Sequence, residues 1–356
     1  MLTIVLTNRN RDLNIVSNCL ASLSKQTQPT FRLFLVDYGS DSKYLNNLKQ
    51  LVAGYTFVEL IACPVTHQLW NKSRAINIAL RKTDTPYFLV GDIDLIFHPE
   101  FVNKALDAIQ HDAAIYFKYA FLSRETAAKA LEFEAYAIDF LGGEAITGTT
   151  LFKTDILKQL NGYDEFYHGW GAEDTDIHIR LRQAGHTVRF IDDAILIKHQ
   201  WHPKTYRSKD SAHPFHSLLE RINHAYMLFT EQHGITKANL HSDWGLLPDA
   251  AMYTQLASEA TVKMRIHNTA IDFAALLAHL NNLEAVVFEV EITAVPTTVY
   301  LNERLKRLLG KKHHQILALQ TINNHLLEAI ITRFRNKPYQ FHFNRAKHAI
   351  YLKMVF

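Results

Sequence analysis

YFLVGDID, residues 87–94, is apolar up to Gly91 and then sets acids at Asp92 and Asp94. A short apolar run of this kind reads as a strand buried on both faces. Comparable runs lie upstream at LTIVLT (2–7), FRLFLVDYG (31–39) and TFVELIA (56–62). The segments between them read as helices: one opens at Asp12 with Leu13, Val16, Leu20 and Leu23 in step, one spans about 43–52, and one is NKSRAINIALRK (71–82). This alternation predicts an open, mostly parallel sheet flanked by helices. Ligands of such sheets sit outside the carboxyl ends of the strands, here Thr7-Asn8-Arg9, Asp37-Tyr38-Gly39-Ser40 and Asp92-Ile93-Asp94.

Farther along, the pattern predicts a helix to about 110, a strand AAIYFKYAF, a helical stretch over 124–140 and a strand over 147–153. Helices follow over TDILKQLNG and TDIHIRLRQAG, with Thr154 or Asp155 near the cap of the first. From about residue 214 the character changes to helices at 214–234, 248–261, 270–283 and 301–333 mixed with short strands. The expected division is a domain over 1–213 and a smaller α+β unit over 214–356. HFNRAKHAIYLKMVF, at the end of the chain, alternates apolar and basic residues and reads either as an edge strand guarded by its cations or as a contact to an anionic surface.

With 356 residues and 48% hydrophobic content the chain is long enough for a large core, and a net charge of +3 gives no reason to expect a nucleic-acid partner. Two cysteines, Cys19 and Cys63, suit buried thiols in a reducing compartment. No apolar run approaches the ~18 residues of a membrane span, so the expectation is a cytoplasmic protein with at most peripheral membrane contact.

The densest chemistry lies at residues 169–176, GWGAEDTD. Trp170 between two glycines offers a flat apolar face, and Asp174 falls at a helix start, where the dipole favours an ionised carboxylate. Taken singly, Trp170 fits core packing and Glu173 and Asp174 fit helix capping. Asp92 and Asp94 at a strand end suit Mg²⁺ or Mn²⁺, or a capping turn. His199 of LIKHQWHP would tilt such a site toward Mn²⁺, with His202 as a competing ligand.

LTNRNR, LVDYGSDS, WNKSRAINIAL, LVGDID, GYDEFYHGWGAEDTDIHIRLRQAG and IKHQWHP occur in that order. Over about residues 1–205 this series resembles the GT-A glycosyltransferases of family 2, with a later part like the galactosyltransferase-type module of β-1,4-galactosyltransferases, polypeptide GalNAc transferases and chondroitin-type polymerases. The resemblance implies a Rossmann-like α/β fold and an inverting transfer of Gal, GalNAc, GlcNAc or Glc from a UDP-sugar to a glycan or glycolipid hydroxyl. It implies a nucleotide-sugar part over about 1–100 and an acceptor part over about 101–213, and bacterial surface polysaccharide synthesis as the setting. By the same resemblance Thr7, Asn8, Arg9, Asp37, Lys72, Arg74, Asn77 and Asp92 contact the donor, and Asp94, His199 and Asp92 hold Mn²⁺ or Mg²⁺. Asp174 is the catalytic base, and Trp170, Gly171 and Glu173 meet the acceptor. Gly142, Gly143 and Glu144 lie in a loop expected to help select the sugar. Tyr38 stands where many relatives have a second acid. Lys72 and Arg74, two apart on a helix, do not share a face, so one of them at most reaches phosphate.

Two other classes fit parts of the pattern. A glycoside hydrolase also uses paired carboxylates but needs neither metal nor nucleotide. A non-catalytic nucleotide or carbohydrate binder on the same fold has no need of Asp174.

Overall fold

The computed structural model describes residues 1–126, 129–203 and 214–356. Contacts divide the chain into two units. In the first, β1 (Leu2–Asn8), α1 (Leu13–Ser24), β2 (Phe31–Tyr38), α2 (Ser42–Val52), β3 (Val58–Cys63), α3 (Lys72–Lys82) and β4 (Tyr87–Asp92) alternate as the hydrophobic pattern requires. Then come β5 (Leu95–Phe97), α4 (Phe101–Ala108), β6 (Ala114–Phe117), β7 (Tyr119–Leu122), β8 (Ile138–Leu141), β9 (Thr150–Lys153), α5 (Thr154–Gln159), α6 (Glu173–Gln183), β10 (Val188–Ile191), β11 (Ile197–His199) and α7 (Leu219–Gln232). Strand order in the main sheet is β10-β6-β9-β4-β1-β2-β3, parallel except at β9, which runs against both β4 and β6. The expected α/β class is therefore the one observed. Leu2, Ile4, Leu6, Leu33, Leu35 and Leu89 from the central strands pack with Val16, Leu20 and Leu23 of α1 in the principal core. Cys19 joins that core and Cys63 is buried apart from it, both as free thiols.

The register matters for function. Thr7 of β1 lies beside Asp92 of β4, and Asn8 beside Asp37 of β2, so three carboxyl ends form one row. A second sheet, β5-β11-β7-β8, begins where the chain leaves β4. β11 runs antiparallel to β5 with His199 opposite Leu95, next to Asp94.

Three expectations need correction in this unit. Among the described residues of 124–140, the predicted helix gives way to a 3-10 turn at Phe133–Ala135 followed by β8. Pairing with β7 and the stacking of Phe140 on Phe121 at 4.4 Å outweigh its local helical pattern. AAIYFKYAF is two strands, β6 and β7, that enter different sheets. Thr154 and Asp155 do lie near the cap of α5, as its first two residues after the N-cap Lys153. The contacts do not divide at residue 213: Glu220–Leu247 group with the first unit. Asn223 of α7 donates to the carbonyls of His168 and Trp170 at 2.9 and 3.3 Å, and Tyr226 donates to Asp164 at 2.9 Å.

The second unit comprises Pro64–Leu69, the described residues 214–219 and Pro248–Phe356. Its elements are α8 (Ala250–Thr254), β12 (Val262–His267), α9 (Ala270–Leu280), β13 (Val287–Thr293), α10 (Thr297–Leu308), α11 (Leu319–Ala329), β14 (Tyr339–Asn344) and β15 (Ala349–Val355). The sheet order β12-β13-β15-β14 places β15 inside the sheet, so the terminal segment is not the expected edge strand. Its Ile350, Leu352 and Met354 are fully buried, and Lys353 donates to the Ser258 carbonyl at 2.6 Å. The predicted helix over 301–333 is two helices, α10 and α11, parted around Gly310, whose φ is 67°. Among the described residues no helix is long and apolar enough to cross a membrane.

Candidate active site

Several segments of the first unit converge at the carboxyl ends of β1, β2 and β4. Asp37 is 1% exposed, and its oxygens accept from the Asn8 amide at 2.7 Å and from the Ser40 N–H and hydroxyl at 3.1 and 2.6 Å. Burial raises its carboxyl above the usual range, against the pull of those donors and of Arg9. Arg9 donates to the Gly39 carbonyl at 3.2 Å, where a φ of 87° lets the chain turn sharply. Tyr38 faces away, edge-on to Trp70 at 5.9 Å.

After β4 the two acids part company. Asp92 accepts from Lys72 Nζ at 3.0 Å and from the Tyr119 hydroxyl at 3.2 Å. Asp94 lies 3.4 Å from His199 Nε2, 3.1 Å from His202 Nε2 and 3.2 Å from Arg11. Burial works to raise the Asp94 carboxyl, yet His199, His202 and Arg11 together hold it well below the usual range. Among the described residues its Oδ1 is buried without a hydrogen-bond partner. One carboxylate and two imidazoles, with ligand atoms all within 4.8 Å of one another, form a group suited to a divalent cation. The group contains two of the expected ligands, Asp94 and His199, together with His202, and leaves out Asp92, which contacts Lys72 instead because the chain turns out of β4 at Ile93–Asp94.

Lys72, at the first position of α3, is the bridge to the GWGAEDTD loop. Its Nζ sits 2.8 Å from Asp174 and 3.8 Å from Glu173, as well as 3.0 Å from Asp92. Burial works to lower its pKa, but Asp174, Asp92 and Glu173 raise it, so the ammonium is firmly charged. The Asp174 carboxyl is raised as well, which here favours the neutral form: burial, with Glu173 and Asp92 adding to it, lifts it well above the usual range despite Lys72. Its Oδ1 is buried and has no hydrogen-bond partner among the described residues. The loop reaches this place through left-handed backbone at Gly169, Gly171 and Ala172, with φ of 75°, 99° and 77°. Ala172 is the N-cap residue of α6, and a non-glycine residue held in that region stores strain. Trp170 is 47% exposed, which settles its two sequence readings against core packing. Asp176 points inward, accepting from Tyr167 at 2.9 Å and from Arg180 at 2.7 Å.

Residues 3–153 match the model of glycosyl transferase family 2, and residues 129–202 match the model described as the N-terminal domain of galactosyltransferase. The chain carries a family 2 glycosyltransferase domain. Mouse (Mus musculus) chondroitin sulfate synthase 3 is 23% identical over 201 residues, 53% of this chain and 22% of that protein, so the chain spans under a quarter of the relative's length. Among solved structures, GalNAc-T7 with UDP, GalNAc and Mn²⁺ is 13% identical with a TM-score of 0.49, covering 65% of this chain and 48% of that one. S. aureus TarS 1–349 is 14% identical with a TM-score of 0.43, covering 56% and 60%.

Two of the expected donor residues of this glycosyltransferase domain are engaged elsewhere. Asn77 is fully buried and exchanges hydrogen bonds with the Tyr163 backbone at 2.8 and 2.9 Å, while also donating to Glu165 at 3.0 Å. Arg74 is 4% exposed and donates to the Leu246 carbonyl at 3.1 and 3.2 Å. Both anchor the scaffold behind Lys72. Conversely, Arg11, Tyr119, Thr149 and Gly148 escaped the sequence reading. Tyr119 hydrogen-bonds Thr149 at 2.6 Å and positions Asp92, yet in sequence it looks like any strand aromatic.

Gly148 carries a local signal, a glycine between threonines. A Cβ there would lie 2.9 Å from both Asp92 Oδ2 and the Tyr119 hydroxyl, and 3.7 Å from Asp174 Oδ2. Gly148→Ala is expected to push these groups apart and cut turnover about tenfold or more while the chain stays folded. Steady-state rates beside an unchanged circular dichroism spectrum would verify this, and a wild-type rate would remove the close packing from the site's requirements.

Proposed function

We propose that this chain is a metal-dependent, inverting glycosyltransferase that moves a hexose or N-acetylhexosamine from a UDP-sugar to a hydroxyl of a glycan or glycolipid. The observation that carries the reading is a pair of unlike carboxylates, of which only the second touches Lys72. Asp94 is gathered with two imidazoles, and Asp174 is buried with one oxygen unpartnered. A glycoside hydrolase has no use for the first, nor a simple binder for the second.

Asp94, His199 and His202 are the residues that would hold Mn²⁺ or Mg²⁺, and the imidazole content favours Mn²⁺. When bound, the ion supplies Lewis-acid stabilisation of the charge that develops on the departing diphosphate. Thr7, Asn8, Arg9 and the Asp37–Ser40 turn shape the nucleoside end, and Asp92, held by Tyr119, lies next to it in the register. Lys72 is the cation that offsets Asp92 and Asp174 and keeps Asp174 ionised enough to act. Asp174 Oδ1 takes the proton of the acceptor hydroxyl. The hydroxyl oxygen then bonds to the anomeric carbon as the bond from that carbon to the diphosphate oxygen breaks. Base on one side and leaving group on the other make this an in-line displacement with inversion. Trp170, Gly171 and Glu173, around the mouth of the loop, are assigned to the acceptor. The similarity to a chondroitin sulfate synthase supports a glycan acceptor, and a cytoplasmic role in bacterial surface polysaccharide synthesis is the setting this reading favours.

Calorimetry of UDP binding with Mn²⁺, with Mg²⁺ and with EDTA tests the donor site. Binding is expected with Mn²⁺, weaker with Mg²⁺ and absent with EDTA, and Asp94→Ala is expected to abolish the metal-dependent part. His199→Ala and His202→Ala are each expected to weaken Mn²⁺ dependence. Equal UDP binding in EDTA and Mn²⁺ would sink the metal role, and no binding of any nucleotide would sink the donor site.

A further inference from the structure

The helix α10, Thr297–Leu308, is mounted with its apolar side outward. Leu301, Leu305, Leu308 and the adjoining Leu309 follow helical spacing on one face and are 56, 54, 73 and 60% exposed. The one buried residue of the helix is an acid on the opposite face: Glu303 is 5% exposed. It accepts from Lys306 Nζ and from the His314 N–H, both at 2.6 Å, which ties the loop after the helix back onto its polar side. A helix that served only to cover its own unit would be turned the other way, because burying leucines is favourable and burying a carboxylate is costly.

Charge defines what fits this face. Over residues 297–314 the chain has Arg304, Lys306, Arg307, Lys311 and Lys312 against the single acid Glu303. Arg304, Arg307, Lys311 and Lys312 are exposed, and none has a carboxylate within ion-pair distance among the described residues. A row of outward leucines flanked by unpaired cations matches an interfacial helix that lies in the headgroup region of a bilayer, with its cations on acidic headgroups. A second copy of the same face would set cation against cation with no acid to pair.

We propose that α10 and the loop after it dock the protein on the surface of a membrane rich in anionic lipid. The proposal is independent of the catalytic reading. Cosedimentation of the full chain with vesicles of phosphatidylcholine alone, and of phosphatidylcholine mixed with phosphatidylglycerol, tests it. Binding to the mixed vesicles only, and release by salt, are expected. Leu301→Gln with Leu308→Gln, and separately Arg304→Gln with Arg307→Gln, are each expected to weaken that binding about tenfold or more. These side chains are exposed, so both variants should melt as wild type. Failure of the wild type to bind mixed vesicles, or undiminished binding by the leucine variant, would overturn the proposal. A wild-type dimer in sedimentation velocity that becomes a monomer in the leucine variant would overturn it too, and assign the face to a second copy.

Discussion

Asp174→Asn is expected to bind UDP and Mn²⁺ as wild type does and to lose sugar transfer by a factor of ~10² or more. The amide keeps the shape of the carboxylate but cannot take the acceptor proton at Oδ1. The pH profile gives the same residue a second signature. Burial, Glu173 and Asp92 raise the Asp174 carboxyl, and the reaction needs it ionised. The acid limb of kcat/KM is therefore expected above the ~3.9 of an ordinary aspartate, with the rate rising as pH rises through that limb. Lys72 opposes the shift, so Lys72→Met should move the limb to still higher pH. Near-normal transfer by the asparagine variant, or a limb that moves down without Lys72, would take Asp174 out of the role of base.

Asp176→Ala is expected to be the most damaging single change to stability at the site. Arg180, 1% exposed, rests on Asp176 at 2.7 Å and spends its other nitrogens on the carbonyls of Leu160 and Gly162 at 3.1 and 2.9 Å. Removing the acid leaves a buried guanidinium without its countercharge, a loss of about 3–5 kcal/mol. The denaturant midpoint of the first unit should fall accordingly. Asp176→Leu combined with Arg180→Met should recover much of that loss, because neither charge is then stranded. If the single variant unfolds at the wild-type midpoint, the pair contributes little and the loop is held by its backbone alone.

The two faces of α6 explain why one of its acids is proposed for chemistry and another is structural. Glu173, Asp174 and Asp176 look alike in sequence, and the helix period alone sends Asp176 inward to Arg180 at i+4 while Asp174 faces Lys72. Periodicity of this kind was legible beforehand, and so were the strands of the main sheet, whose apolar runs have no soluble alternative to burial. Helical pattern misled at 124–140, where pairing with β7 decides the conformation, and at 301–333, where the chain leaves one helix at Leu308, turns at Gly310 and enters the next only at Leu319. Arg74 and Asn77 lie beside Lys72 in sequence, but α3 rotates them toward the carbonyls of Leu246 and Tyr163.

From its residues alone the chain disclosed the parallel sheet, the row of polar strand ends and the acid-rich loop, because each rests on spacing within about ten residues. The tertiary structure alone decided that Asp92 and Asp94 serve different neighbours, that His202 joins His199, that Lys72 links three carboxylates and that the leucines of α10 face outward. Those facts depend on residues brought together from as much as a hundred positions apart, on the antiparallel return of β11 along β5, and on which side of a helix its neighbours cover. Local sequence specifies a helix and its faces, but the packing around it determines which face is left to solvent.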